Sequence, residues 1–553
     1  MRPIALSLAL TALVSTVSFA QDSPAPNPFF RAGGFTLQGF VQNQTGVFVA
    51  PDKSATMEYR SEPQAPPTLF PSDHGDKLGK LSMLRNTLEL TGEWRPHPRL
   101  FLRGRFRGVL SYPLSVDREA QVPEPGYLAE PERRVRWVAE HFYQEADLRE
   151  WYVDWRPHDV LTLRLGKQLV AWGESGNARL LDVVNPVDST WHFSAFESFE
   201  DQRMPLFMVR AILDVRPLDG GLDLVWVPMV PIISDEEDSV SPPLTFVGAW
   251  GLPMPPLQGD TSIMPQKIYR KVFRYPAQTP ASSRAGACWR GQLGPVAYSL
   301  MYYYGHQLSP PIPDYYITKE GGQNHVYVRF PRLHTAGLAL EYNLPFPVST
   351  MLKFEAAVEP DRTYAPQSET GQTFEALPDG STKTIFHPKE KPTVTYALTI
   401  QQPAVLRFLN PGDVVVLVVQ FTHSFLPTFD KDEKLLEIPG YDSTLLTRHQ
   451  FRLGGALFTS YLRGMITPRI QWAYLFGYQG LVQGLDKATH LSSFREVSYR
   501  DGGALLGVSV RFAFGDHWRI TLALNEFFGD DPYYGLGLFR DRDEVNVTVR
   551  YQF

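Results

Sequence analysis

Val545-Asn546-Val547-Thr548-Val549-Arg550-Tyr551-Gln552-Phe553 closes the chain. Apolar and polar residues alternate, so on an extended strand Val545, Val547, Val549, Tyr551 and Phe553 share one face. Asn546, Thr548, Arg550 and Gln552 share the other. An edge strand of a soluble sheet satisfies the same alternation. The choice between the two rests on the rest of the chain, where the pattern recurs and the apolar face carries Trp and Tyr near strand ends, as at Trp94, Tyr112, Trp151, Trp155, Tyr298 and Tyr304. Lipid tolerates such a face. The stretch is therefore read as the closing strand of an all-β, transmembrane antiparallel β-barrel. Tyr551 and the terminal Phe553 resemble the insertion signal that the bacterial barrel-assembly machinery reads.

Moving back from that strand, the chain repeats strand, short turn, strand and long polar loop. The clearest pair is Leu84 to Trp94 with Leu100 to Tyr112, joined at Arg95-Pro96-His97-Pro98. The pairs Leu148 to Trp155 with Val160 to Val170, and Leu206 to Val215 with Leu222 to Val230, turn at Arg156-Pro157-His158 and Arg216-Pro217-Leu218. Proline supplies φ and ends pairing where the chain reverses, as in short periplasmic turns. Further pairs are Arg284 to Leu293 with Val296 to His306, Thr335 to Asn343 with Thr350 to Val358, and Thr393 to Gln401 with Asp413 to His423. Gln450 to Tyr461 with Ile470 to Tyr478 and Ala504 to Phe514 with Arg519 to Phe528 complete the series. With Phe35 to Val49 and the terminal strand this predicts about eighteen strands, or sixteen if two are miscounted, with long extracellular loops and both termini in the periplasm.

The amino terminus agrees with export to the cell outer membrane of a Gram-negative bacterium. Arg2, the apolar run Ile4 to Val17 and Ser18-Phe19-Ala20 fit a signal peptide over residues 1–20. Residues 21–34 are then a periplasmic segment and 35–553 the barrel. No run is long and apolar enough for a membrane helix, and Val414 to Val419 is strand-sized and β-branched. Aromatic residues at 13% suit two interfacial girdles. A net charge of -6 spread along the chain argues against nucleic acid as a partner. A single cysteine, Cys288, excludes an intrachain disulfide and a Cys-based metal or haem site. No cofactor is expected. The acidic runs Asp235-Glu236-Glu237-Asp238 and Asp430-Lys431-Asp432-Glu433 lack the spacing and glycine of a calcium loop, so no metal site is expected either. Gly173-Glu174-Ser175-Gly176-Asn177 misses the nucleophile-elbow pattern at its last position, and nothing else reads as an enzyme.

A barrel of this size has an interior too wide for side chains alone to fill, which makes transport the expected role. The polar parity places Glu89, Glu93, Arg103, Arg105, Arg107, Arg164 and Arg210 toward the lumen. They read either as a pore-lining ladder that sets selectivity or as cross-strand pairs that hold the wall rigid. Met208, Ile212, Val225, Val227 and Met301 are apolar on the same face, as an amphipathic solute or loops packed inside would require.

Gly166-Lys167-Gln168, Trp172-Gly173-Glu174 and Asn185-Pro186, followed by Asp201-Gln202-Arg203-Met204-Pro205, have more than generic barrel character. This signature resembles a proteobacterial outer-membrane β-barrel family catalogued as a domain of unknown function. The resemblance implies a porin-like channel for small or amphipathic and hydrophobic solutes, working beside envelope export systems. Its alternative is a barrel component of an envelope complex, for lipid export or as the sheath of a cytochrome conduit. The implied partners are outer-membrane lipid and lipopolysaccharide, the assembly machinery and a periplasmic or inner-membrane transport partner. From the residues themselves, 173–204 are expected either to fold toward the lumen as a constriction or gate built from Trp172, Glu174, Arg179, Asn185, Asp188 and Arg203, or to be a loop tied down on the rim. Trp172 would anchor or line the mouth, and Glu174 would pair with Arg179 or Arg203.

Overall fold

The computed structural model describes residues 28–49, 56–59, 68–71, 78–111, 144–173, 180–188, 192–193, 195–231, 269–308, 312–320, 323–344, 350–366, 372–378, 380–436, 446–476, 478–485, 492–500, 502–529 and 535–553. The segment 1–20, Tyr112, the acidic run at 235–238, Glu174 and Arg179 lie outside them.

Alternating apolar and polar side chains produce one closed antiparallel sheet. Its strands are β1 (Phe35–Phe48), β2 (Leu81–His97), β3 (Leu100–Ser111), β4 (Gln144–His158), β5 (Leu161–Gln168) and β6 (Leu206–Val215). There follow β7 (Gly220–Val227), β8 (Arg284–Leu293), β9 (Val296–His306), β10 (Arg332–Leu344), β11 (Thr350–Tyr364) and β12 (Lys389–Ala404). The last six are β13 (Val415–Phe425), β14 (His449–Phe458), β15 (Ile466–Phe476), β16 (Ala504–Phe514), β17 (Trp518–Phe528) and β18 (Glu544–Gln552). Each pairs with its neighbour in chain order. The ring closes where β18 meets β1, with Asn43 opposite Val549. It has eighteen strands, so the count of sixteen fails. A stub, Phe30–Ala32, folds back on the start of β1.

Parity decides which side chains meet lipid. Leu88, Leu148, Leu165, Leu224, Leu300 and Val508 are exposed on the outer surface. Residues of the opposite parity, such as Glu89, Arg105, Gln168, Met208 and Asp223, are buried inside. Closure removes the sheet edges, which is the condition for crossing a membrane with strands. The carboxyl end is pinned: Gly39 N donates to Phe553 O at 2.8 Å and Phe553 N to Gly39 O at 2.9 Å. The Phe553 ring lies 6.2 Å from Tyr551 and 5.7 Å from Phe29.

The connections hold structure that alternation along the chain does not reveal. Tyr269–Arg274, Gln323–Arg329, Ile312–Glu320, Thr382–Phe386 and Gln372–Ala376 pair in that order into a five-stranded sheet. It is assembled from three separate long connections, those leaving β7, β9 and β11.

Candidate functional site

The lumen face of β2–β7 is built from matched charges. Arg103 Nη1 lies 2.9 Å from Glu93. Arg105 donates to Glu89 and to Glu150, each at 2.9 Å. Arg164 grips Asp154 at 2.6 and 2.8 Å, and Arg210 grips Asp223 at 2.8 and 2.7 Å. Two parallel N–H donors on one carboxylate are the strongest form of such a pair. Arg107 differs from its neighbours, because its partner is Asp201, 3.2 Å away in the connection between β5 and β6.

That connection runs inside the barrel. The end of β5 leads into it past Gly166, whose φ of 138° and close approach to the Trp151 carbonyl leave no room for a Cβ. Gln168, wholly buried, donates to the Met208 carbonyl at 3.1 Å. Asn185 then ties the two ends of the connection together. Its Oδ1 accepts from Val170 N at 2.8 Å, and its Nδ2 donates to the Gln168 and Met204 carbonyls at 3.2 and 2.9 Å. Asp188 N donates to the Gln202 carbonyl at 2.7 Å, beside an isolated bridge between Val187 and Arg203.

Trp172 sits deep inside rather than at the mouth. Its side chain is fully buried, and its indole N–H donates to Asp223 at 2.9 Å. Arg203 pairs with Asp182 at 3.0 Å, not with Glu174. Asp182 also accepts from Trp172 N at 2.9 Å. Trp172, Leu181 and Val184 pack with Met208, Val225, Cys288 and Met301 into one apolar cluster. Small wall residues make space for it: Leu181 presses on Gly337 and the Trp172 ring on Gly286, where a side chain would collide.

The far half of the connection is held by ion pairs to three strands. A four-residue helix, α1 (Phe199–Gln202), is capped by Ser198, which accepts from Asp201 N at 3.2 Å. A register shift between β3 and β4 turns Arg149 inward next to Glu150, and Arg149 donates to the Asp201 and Arg203 carbonyls at 2.5 and 2.7 Å. Glu197 lies 3.0 Å from Arg85. His192 bridges Glu197 and Glu544 of β18, at 3.0 Å each. Burial opposes charge on His192, but the Glu544 carboxylate and the two hydrogen bonds outweigh it and raise its pKa to about 9. Burial would raise Glu197, yet Arg85 and His192 hold it near about 2. Asp201 is likewise depressed, since Arg107 and Arg550 outweigh burial. Phe193 closes the contact edge-on against Phe527 at 4.9 Å.

The tether residues Arg149, His192, Glu197 and Glu544 were not singled out in the sequence, and Asp182 and Asp201 stood in or beside the signature without an assigned role. Their spacing carries no periodic signal. The run of small inward residues Gly286, Cys288, Gly337, Ala339 and Ala357 is the clue that a segment must sit against β8–β11.

The opposite wall is of another kind. The inward parity of β12–β17 carries Thr395, Thr399, Gln420, Thr422, Gln471, Ser509 and Thr521, together with Arg452, Arg469, Arg511 and Arg519, and no carboxylate. Among the described residues no cluster of His, Cys, Asp or Glu could hold a metal ion.

The family described as "Protein of unknown function (DUF1302)" matches residues 5–218 and 271–553. A comparison with curated proteins finds no match. Among solved structures the chain is similar to Acinetobacter baumannii OccAB3, at 8% identity over 94% of this chain and 100% of that one, with a TM-score of 0.45. It is also similar to Pseudomonas aeruginosa OpdK with vanillate (10% identity, 94% and 98% covered, TM-score 0.42). A third is Salmonella typhi OmpF in complex with daunomycin (8% identity, 95% and 100% covered, TM-score 0.39).

Proposed function

We propose that this chain, which belongs to the DUF1302 family, is an outer-membrane channel through which small or amphipathic solutes pass passively, restricted by the segment between β5 and β6. A closed barrel with an apolar outer face must lie in a membrane, and barrels of this class are those of the outer membrane. The observation that carries the reading is the anchoring inside the ring of residues 192–203 against β2, β3, β4 and β18 and of Trp172 against β7. Buried ion pairs hold a segment in one geometry more than they add net stability. Such anchoring fits a fixed constriction that leaves the wall of β12–β17, polar and free of inward carboxylates, as the path. Met208, Val225 and Met301 are covered by Trp172, Leu181 and Val184, so the apolar patch of the wall seats the segment itself.

The test is single-channel recording of the purified protein in planar bilayers. The full chain should give a small steady conductance, and deletion of residues 176–200 should raise it several-fold. Equal conductance of a folded deletion variant would contradict the constriction. A folded, electrically silent barrel that stays silent after the deletion would contradict the channel itself, and co-purification of a stoichiometric periplasmic partner would then favour the envelope-complex role.

A further inference from the structure

Four arginines step down the lumen wall toward the periplasmic rim. Arg469 on β15 lies opposite Ser509 on β16, and Arg511 is the next residue but one on the same face of β16. Arg511 lies opposite Thr521 on β17, and Arg519 is again the next but one. Arg519 in turn faces Arg550 on β18. Diagonal neighbours of this kind stand about 7–8 Å apart, so the guanidinium groups form one continuous staircase.

Arg469, Arg511 and Arg519 differ from the carboxylate-paired arginines of β2–β7, whereas Arg550 lies in the field of Asp201. Arg550 donates to Gln42 at 2.6 Å and lies 4.1 Å over the Phe40 ring. Among the described residues Arg519 reaches only the Gly515 and Trp518 carbonyls, at 2.8 and 2.9 Å. Arg469 and Arg511 have buried Nε atoms without an acceptor, and no carboxylate among the described residues lies within ion-pair distance of either. The field is reinforced from above by Arg452, whose Nε is also buried and unmet.

Uncompensated cations of one sign in a partly enclosed lumen raise the local concentration of anions. Neutral Thr, Gln and Ser at the adjacent inward positions would have completed a polar wall at lower electrostatic cost. Arginine presents a planar fork of donors that matches carboxylate and phosphate oxygens.

We infer that Arg469, Arg511 and Arg519 form an anion-binding step that selects solutes bearing a carboxylate or phosphate group. This rests on the channel reading and names the charge class it admits. The carrier of that group is either a free small anion or an amphiphile with an anionic head, and the same three side chains serve both.

Reversal potentials in a KCl gradient test it on the full-length protein. Wild type should favour chloride, and Arg469→Gln with Arg511→Gln should lower the chloride-to-potassium permeability ratio about fivefold, as expected for removing two charges acting at about 7–8 Å through water. Arg469→Lys with Arg511→Lys should keep the preference, which isolates charge from shape. Block by inorganic phosphate or by decanoate tells free anion from amphiphile, and either block should be lost in the Gln variant. A conducting wild type with no chloride preference, or a Gln variant with unchanged selectivity and block, overturns the inference while leaving the channel intact. No conductance either from the full chain or after deletion of residues 176–200 overturns the channel and the inference together. If the double Gln variant does not fold, Arg511→Gln alone carries the test, with a proportionally smaller fall expected and an unchanged ratio again contradicting it.

Discussion

The walls formed by β2–β7 and by β12–β17 are strands of the same sheet with the same parity, yet they handle charge in opposite ways. On the first, Arg105 sits between Glu89 and Glu150, and Arg210 and Arg164 each grip one aspartate. On the second, Arg469 and Arg511 meet no carboxylate among the described residues. Alternation puts a side chain in the lumen; the neighbouring strand determines whether it becomes structure or remains available to a solute. A charge that is matched in place stiffens the wall and fixes the segment lying on it. An unmatched charge leaves a field in the passage.

The contrast can be broken by making one substitution on both walls. Arg105→Gln strands two buried carboxylates and should cost about 3–5 kcal/mol, read as a fall in the denaturant midpoint of the folded barrel in detergent. An unchanged midpoint would mean that the matched charges do not hold the wall. Next in size is the effect of pH on the inner segment. The pKa of His192 is raised from 6.5 to about 9, so its bridge between Glu197 and Glu544 is at full strength below pH 6.5 and is lost as pH rises through about 9. Conductance should therefore increase on the alkaline side of that range, and the step should vanish in His192→Gln. A step that persists in that variant would assign it to another group. Trp172→Phe keeps the ring but loses the N–H bond to Asp223, which should cost about 1.5–3 kcal/mol, the range for a hydrogen bond to a charged group. The smallest effect is expected at Arg511→Gln, within about 0.5 kcal/mol of wild type, because no partner is left behind. A loss as large as that of Arg105→Gln would erase the distinction between the walls.

Much of this was legible in the chain because period-two alternation is a local signal. The ends of β8, β9 and β16 fall where the alternation stops, and the pairing of Arg103 with Glu93 and of Arg105 with Glu89 follows from facing positions across one turn. The partners of the inner segment were not legible. His192 and Glu544 are 352 positions apart, and only closure of the ring brings β18 beside it. Arg149 faces inward through a bulge, which breaks the parity rule that placed every other charge. The five-stranded sheet in the long connections escaped for a related reason: its strands are short, and two of its four pairings join strands of different connections.

The most direct test of the two-wall account uses the single cysteine. Cys288 faces the lumen and is wholly buried in the cluster with Trp172. Ser509→Cys places a second thiol on the opposite wall, beside Arg469. Exposing this variant, folded in a bilayer, to a membrane-impermeant charged methanethiosulfonate should modify position 509 rapidly and leave Cys288 protected. Equal rates at the two sites, or faster reaction at Cys288, would mean that the inner segment does not cover the β8–β11 side and that the passage does not run along β12–β17.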